Sequence, residues 1–282
     1  MSLRTSLEIV QDLKCGRLIL ADGAVGSELV KRGIAPDRTV EANLSHPEVV
    51  RDLHQRAIAA GAELLTSNTF GMPTGEGWAA AYLAGVALAE TAAQAARRSV
   101  GVLISVYPSE LLLIPEGVLA PFRAPTPSRR LLLIETAVDI REAVEAVVFA
   151  RRSGVETVVA TCHFQPDGVM PDGTTPEAAA LALQEAGASV VGGNCGVVPE
   201  ESVSVAQRMR AVTDLPLLFQ PNAGLPEFAE GRWIYPVDPV RFAQNAIRLF
   251  EAGVSIVGGC CGATPAHIAA VHSLLFRPQR RE

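Results

Sequence analysis

Residues 254–275 read VSIVGGCCGATPAHIAAVHSLL and contain a complete strand–turn–helix unit. The apolar run at 254–258 predicts a buried strand. The segment 265–275 opens with proline, which is typical of the first turn of a helix. Two adjacent cysteines lie between them inside a glycine cluster. A strand followed directly by a helix is the repeating unit of α/β proteins with parallel strands.

The same unit occurs eight times along one continuous stretch of sequence. The predicted strands are 17–22, 62–66, 102–106, 131–135, 156–161, 189–193, 215–220 and 254–258. The predicted helices are 46–60, 77–98, 140–152, 176–186, 199–212, 239–252 and 265–275. Eight units favour a (β/α)8 TIM barrel over an open doubly wound sheet, which is the alternative if some strands are misassigned. We expect residues 1–282 to form a single barrel domain.

One unit departs from the pattern. Residues 107–130, YPSELLLIPEGVLAPFRAPTPSRR, contain prolines at 108, 115, 121, 125 and 127. Each proline removes a backbone donor and clashes with the preceding turn, so a helix of ordinary length is excluded. The barrel is therefore predicted to lack the helix between its third and fourth strands. Covering the exposed strand surface would require this loop or a second subunit, so we expect a homo-oligomer that uses residues 107–130.

Composition excludes several classes of function. Hydrophobic residues make up 49% and charged residues 19% of the 282 residues, which is typical of a globular chain with a large core. The net charge of −6 argues against a nucleic-acid partner. The segment MSLRTSLEIVQD lacks the apolar core of a signal peptide, and no run of about 18 apolar residues predicts a membrane span. Five cysteines without a secretion signal fit a reducing cytoplasm.

Three of the cysteines share a local pattern. Cys195 lies in VVGGNCG, and Cys260 and Cys261 lie in IVGGCCG. Each group follows an apolar strand and two glycines, and the carboxyl ends of barrel strands are where catalytic groups gather. Three thiolates can bind Zn²⁺ and leave one coordination position open, as in a catalytic site. From the spacing alone, Cys195, Cys260 and Cys261 could equally be free cysteines buried in the core as small hydrophobic residues. For Cys15 this second interpretation is the one we adopt.

Six motifs, distributed nearly end to end, resemble the homocysteine S-methyltransferase family. They are LADGAVGSELVKRG at 20–33, GAELLTSNTFG at 61–71, LLLIETAVDI at 131–140, VVGGNCG at 190–196, QPNAG at 220–224 and VGGCCGATPAHI at 257–268. This is the zinc-dependent homocysteine-binding barrel of S-methylmethionine and betaine enzymes and of the first module of cobalamin-dependent methionine synthase. The resemblance implies Zn²⁺ on Cys195, Cys260 and Cys261, and methyl transfer to the thiol of homocysteine to give methionine.

The resemblance also implies the residues that bind the substrate. Asp22 and Glu135 are expected to face the ammonium group of homocysteine, while backbone amides from Gly23 onward receive its carboxylate. Asn68 and Asn222 are expected to orient groups near the metal, with hydrogen bonds to loop carbonyls as the alternative. His163 is interpreted as a residue of the site's mouth, because its family counterpart carries no metal.

The methyl donor is the least determined part of the prediction. SVYPSE at 105–110 replaces the glycine-rich segment that the family usually has after its third strand, and the loop GMPTGEGW is short. We expect S-methylmethionine or S-adenosylmethionine as the donor. The alternatives are a separate protein that carries methylcobalamin or folate, and a zinc- or thiol-binding barrel without methyl transfer.

Overall fold

The computed structural model describes residues 6–71, 77–111, 130–196, 199–229 and 232–275. Eight parallel strands form one sheet: β1 Ile19–Leu20, β2 Leu64–Thr66, β3 Gly101–Val106, β4 Arg130–Ala137, β5 Val158–Cys162, β6 Val190–Asn194, β7 Leu217–Gln220 and β10 Ile256–Val257. A separate antiparallel hairpin pairs β8 Glu227–Ala229 with β9 Arg232–Ile234. All eight predicted strands are therefore confirmed.

The sheet closes into a barrel. Its strand order is β1-β10-β7-β6-β5-β4-β3-β2. A parallel bridge between Ala21 and Leu64 joins β1 to β2, the two strands at the ends of this order. The N–H of Asp22 also donates to the carbonyl oxygen of Leu64 at 3.0 Å. The prediction of a (β/α)8 barrel is confirmed.

Helices connect the strands and cover the outside of the barrel. They are α1 Ser6–Lys14, α2 Val25–Lys31, α3 Ala42–Ser45, α4 Pro47–Ala59, α5 Trp78–Ala95, α6 Pro108–Leu111, α7 Ile140–Arg152, α8 Pro176–Ala186, α9 Pro199–Arg210, α10 Pro239–Glu251 and α11 Pro265–Leu275. Several begin with proline, whose missing N–H costs nothing in a first turn. At α10 the Asp238 carboxylate also accepts from the N–H groups of Val240 and Arg241.

Alternation along the strands divides the core into an inner and an outer layer. Inward residues such as Ile19, Leu133 and Leu218 form one cluster with Ile9 and Leu13 of α1. Because residues 15–18 link α1 directly to the start of β1, α1 lies at the amino ends of the strands. The inner core is therefore closed at that end, and the opposite end is left for a site.

The predicted absence of a helix between the third and fourth strands falls mostly on residues 112–129, outside the described residues. The described part of this connection contains only the single turn α6, whose Leu111 is fully buried. β3 is buried along its whole length. The oligomer contact that we predicted through residues 107–130 falls on the same segment and stays a prediction.

None of the described helices is both long and apolar enough to cross a membrane.

Candidate metal centre and substrate cavity

Three cysteines meet at the carboxyl ends of two strands. Cys195 follows β6, and Cys260 and Cys261 follow β10, with β7 between these strands in the sheet. Their Sγ atoms all lie within 4.8 Å of one another. No other group of three or more His, Cys, Asp and Glu side chains in the described part of the chain has metal-binding geometry. The structure therefore brings Cys195, Cys260 and Cys261 together, and their binding of a metal stays a prediction.

The glycines before the cysteines are needed for close packing rather than for unusual backbone angles. A Cβ on Gly192 would lie 1.7 Å from the carbonyl oxygen of Leu218, and one on Gly259 would lie 2.2 Å from Cβ of Ala263. The left-handed conformation occurs at Cys195 itself, with φ of 56°. Cys195 is one of two non-glycine residues with positive φ in the described chain, and such strain is typical of functional sites.

The three thiols interact strongly with one another. Hydrogen bonds from the thiols of Cys260 and Cys261 hold the pKa of Cys195 far below its usual range. The hydrogen bonds to Cys195 raise the pKa of Cys261 to about 11 and also raise the pKa of Cys260. One thiolate therefore forms readily on Cys195, and a cation is needed before all three can ionise together.

The donor set fits zinc. Sulfur atoms bound to one tetrahedral Zn²⁺ at about 2.3 Å lie about 3.8 Å apart, so the observed cluster needs only small side-chain adjustments. The three cysteines are half-buried and border a cavity of about 200 Å³. At about 30 Å³ per water, this volume equals roughly seven waters, comparable to a small amino acid.

Asp22 lies just behind the wall of this cavity. It is 1% exposed, and its two carboxylate oxygens accept from the backbone N–H and the Oγ1 of Thr66, each at 2.9 Å. Burial raises the pKa of Asp22 to about 7, and the negative charge of Glu135 contributes to the increase. Gly23 lines the cavity, whereas Asp22 borders a smaller adjoining space between α2, α4 and α11.

Glu135 lines the cavity and is held by two side chains. Its Oε2 accepts from Ser105 Oγ, and its Oε1 accepts from Asn194 Nδ2 at 3.1 Å. Burial raises the pKa of Glu135 to about 7, with a further contribution from the negative charge of Cys195. The negative charge of Glu135 acts on Asp22, both carboxyls have a raised pKa, and a bound cation would favour their ionised forms.

Asn194 connects this carboxylate to the cysteines, although it was not among the site residues predicted from the sequence. Its Oδ1 accepts from Thr161 Oγ1 at 2.7 Å and from Thr136 N–H at 3.0 Å. Its Nδ2 donates to Thr136 Oγ1 and Glu135 Oε1 and lies 4.0 Å from Cys260 Sγ. The signal that could have revealed it is its position as the last inward residue of β6, directly before Cys195.

The two predicted amides have different surroundings. Asn68 lines the cavity, but its Nδ2 donates to the carbonyl oxygen of Thr39 and to Oδ1 of Asn43, so the amide group holds two segments together. Asn222 is 5% exposed and does not line the cavity. Its Oδ1 is buried without a hydrogen-bond partner among the described residues.

Two aromatic residues border the cysteines. His163 hydrogen-bonds to Cys195 and lowers the pKa of that thiol, which fits the predicted position beside the mouth. Tyr235, which the sequence analysis missed, hydrogen-bonds to Cys261. A Cβ on Gly262 would lie 2.1 Å from Cγ of Tyr235, so the Tyr235 ring occupies the space that a side chain at position 262 would need.

The remaining cysteines stay apart from the centre. Cys162 is buried at the end of β5, and burial raises the pKa of its thiol to about 12. Cys15 is exposed, so the prediction that it packs in the core was wrong. It lies just beyond the end of α1, where the chain turns outward through Gly16 before β1.

The sequence of this chain matches the family described as homocysteine S-methyltransferase over residues 19–275. The chain belongs to the homocysteine S-methyltransferase family. Betaine–homocysteine S-methyltransferase 1 of Xenopus tropicalis is 31% identical over 93% of this chain and 74% of that protein. Methionine synthase of Mycobacterium tuberculosis is 29% identical over 96% of this chain. The chain spans only about a quarter (26%) of that methionine synthase.

A solved member of the homocysteine S-methyltransferase family has the same fold. The metallated form of the homocysteine methyltransferase MmuM from Escherichia coli superposes with a TM-score of 0.76 at 21% identity, covering 95% of this chain and 99% of that one. Of these three names only that of the betaine enzyme indicates a methyl donor, so the comparisons establish the family and the barrel but no donor.

Proposed function

We propose that this protein is a zinc-dependent homocysteine S-methyltransferase that transfers a methyl group to the thiol of homocysteine and forms methionine. One observation carries the proposal: Cys195, Cys260 and Cys261 converge beside a cavity that Glu135 also lines, with Asp22 directly behind its wall. Thiolates to bind a metal and carboxylates to bind an ammonium group are what a thiol-bearing amino acid requires. A single barrel domain in the cytoplasm fits this activity.

Cys195, Cys260 and Cys261 are proposed to hold Zn²⁺. The zinc would supply thiolate chemistry, because a metal-bound thiol is deprotonated at neutral pH and three anionic ligands keep its sulfur electron-rich. A free alkyl thiol has a pKa of about 8.5 and is mostly protonated at pH 7. The cysteines therefore matter for reactivity as well as for binding.

The carboxylates are proposed to fix the other end of homocysteine. Glu135 contacts the ammonium group from the cavity wall, and Asp22 supplies a second negative charge behind it. Both groups have a pKa near 7, so a cation between them favours their ionised forms. The substrate carboxylate is assigned to the backbone near Gly23, while the N–H of Ala24 already donates to the carbonyl oxygen of Ala263. Asn68 and Asn222 are proposed to orient the surrounding groups.

A cationic donor is the favoured source of the methyl group. Phe70 lines the cavity, is 40% exposed, and packs edge-on against Tyr107 with ring centroids 6.1 Å apart. Aromatic faces attract sulfonium and ammonium cations. We therefore propose S-methylmethionine or S-adenosylmethionine as donor.

A separate methylcobalamin or folate protein is the second candidate. It is favoured by the exposed pair Phe228 and Trp233 on the β8–β9 hairpin, whose ring centroids are 5.1 Å apart. Such a patch of exposed aromatic residues is typical of a surface that contacts another protein.

A donor screen tests the proposal. Zinc-loaded protein is incubated with homocysteine and, in turn, S-methylmethionine, S-adenosylmethionine, betaine and a methylcobalamin-loaded protein, and methionine is measured by chromatography. Methionine from one donor, with Cys260→Ser inactive in the same assay, supports the transferase. If no donor yields methionine while zinc and homocysteine still bind, the protein is a thiol-binding barrel without methyl transfer.

A further inference from the structure

Inward-facing polar side chains form a layer at the carboxyl ends of the barrel strands. Most of them are paired between strands: Thr66 with Asp22, Ser105 with Glu135 and Thr161 with Asn194 across neighbouring strands, and Asn194 with Glu135 across β5. Leu218 of β7 belongs to the inner cluster, so strand alternation turns Gln220 to the same inner face. Gln220 is therefore the contribution of β7 to this polar layer.

Gln220 differs from its neighbours because its acceptor is unused. It is 3% exposed and lines the cavity together with Glu135, Cys195 and Cys260. Its Oε1 is buried with no hydrogen-bond partner among the residues that the structure describes. A buried acceptor without a partner is costly, and a ligand in the cavity that donates to it would remove this cost.

The side chain of Gln220 lies against Gly258 and close to the main chain of Asp22. Its Cγ lies 3.2 Å from the position that a Cβ on Gly258 would occupy, and the main-chain oxygen of Asp22 lies 2.8 Å from the same position. The missing side chain of Gly258 therefore brings Gln220 next to Asp22. On the other side, the carbonyl oxygen of Gln220 accepts from the N–H of Cys195 at 3.2 Å.

We propose that Gln220 Oε1 accepts a hydrogen bond from the ammonium group of the amino-acid thiol that the protein methylates, and so selects α-amino thiols. This rests on the proposed function. An ammonium group has three N–H donors, and Glu135, the carboxylate that lines the cavity, leaves a third donor unpaired even if both of its oxygens accept. A neutral acceptor suits that third donor, because another carboxylate would add negative charge beside two carboxylates and three cysteine sulfurs.

Substitution of Gln220 by methionine tests the proposal, because methionine keeps the length of the side chain and removes the amide. Binding of L-homocysteine and of 4-mercaptobutyrate, which is homocysteine without its amino group, is measured by calorimetry on zinc-loaded protein. Loss of a hydrogen bond to a charged group is expected to weaken homocysteine binding by about 10- to 100-fold. Binding of 4-mercaptobutyrate is expected to stay near wild type, because this thiol has no ammonium group to donate to Gln220.

Control variants separate substrate recognition from structure. Gln184→Met removes a carboxamide on α8, whose Oε1 accepts from Thr213 Oγ1, and is expected to leave both affinities unchanged. Gln220→Glu retains an acceptor at the site and is expected to keep the preference for homocysteine over 4-mercaptobutyrate. If Gln220→Met folds poorly, Gln220→Glu still tests whether an acceptor at this position accompanies the preference for homocysteine.

Two results would overturn the inference: an equal loss of affinity for both thiols in Gln220→Met, or no loss for either. Failure of the proposed function itself is distinguished by the donor screen on the wild-type protein, which would then yield no methionine from any donor, whatever the two affinities.

Discussion

Asn194→Asp tests the contact between Asn194 and Glu135. The substitution preserves shape, and Oδ1 still accepts from Thr136 and Thr161, but it replaces the amide donor with an oxygen 3.1 Å from Glu135 Oε1. Two unit charges at that distance repel by about 5 kcal/mol at an effective dielectric constant of about 20, equivalent to about four pKa units. The pair is therefore expected to retain one proton across the neutral range.

The expected result is a pH-dependent loss of stability. The folded variant binds more protons than the unfolded chain above about pH 7, so its free energy of unfolding falls as pH rises, by about 1.4 kcal/mol per pH unit relative to wild type. Urea denaturation at several pH values between about 6 and 9 measures this difference, which should reach about 3 kcal/mol.

Asn245→Asp provides the control for that experiment. Its Oδ1 accepts from Arg248 Nη1 at 3.2 Å, and its side chain also hydrogen-bonds to Glu200, which is paired with Arg241. Two cations therefore lie beside the two carboxylates of this variant, and it should show no alkaline loss of stability. If the stability of Asn194→Asp runs parallel to that of wild type up to pH 9, then Asn194 does not face an ionised Glu135 and the assigned network is incorrect.

Three further predictions concern the metal, the backbone and a buried histidine. Cys260→Ser should reduce zinc content sharply by elemental analysis while Cys162→Ser retains it; full retention in both would exclude the three-thiolate site. Gly192→Ala should destabilise the protein by about 3 kcal/mol in urea denaturation, because its Cβ would meet backbone at 1.7 Å, whereas Gly26→Ala, with open space around it, should change little. His54 is buried with both ring nitrogens unpartnered among the described residues, and burial lowers its pKa to about 4, so wild type should lose stability as pH falls from about 6.5 to about 4. His54→Leu should remove about 2 kcal/mol of that loss at pH 5 in the same assay, and an unchanged pH profile would contradict a neutral buried histidine.

The barrel and its cysteine centre could be predicted because both depend on local sequence signals. Each strand is a short apolar run followed by a helix, and parallel strands place their carboxyl ends at one face. Cys195, Cys260 and Cys261 stand at such ends and are brought together. The glycines beside them were recognised, but their close contact with neighbouring backbone depends on strand register, which the sequence does not display.

Other features depend on contacts between distant segments. Asn194 stood in a quoted motif, yet its importance lies in bonds to Thr136, Thr161 and Glu135 from other strands. Gln220 could not be singled out, because an unpartnered acceptor is visible only when its surroundings are known. α1 was also missed, since nine residues before the first strand carry no barrel signal of their own.

The Asn194 carboxamide lies between the Glu135 carboxylate and the cysteine centre and separates them by a fixed distance. Its Nδ2 stands 3.1 Å from the Glu135 carboxylate and 4.0 Å from Cys260 Sγ, and four hydrogen bonds fix its orientation. On the proposed function, this rigid side chain sets how far an amino group and a sulfur must be apart to engage both ends. The site therefore selects its methyl acceptor by the distance between amino group and sulfur. Cysteine is one methylene shorter than homocysteine, so either its amino group would reach the carboxylate or its sulfur would reach the metal, but not both.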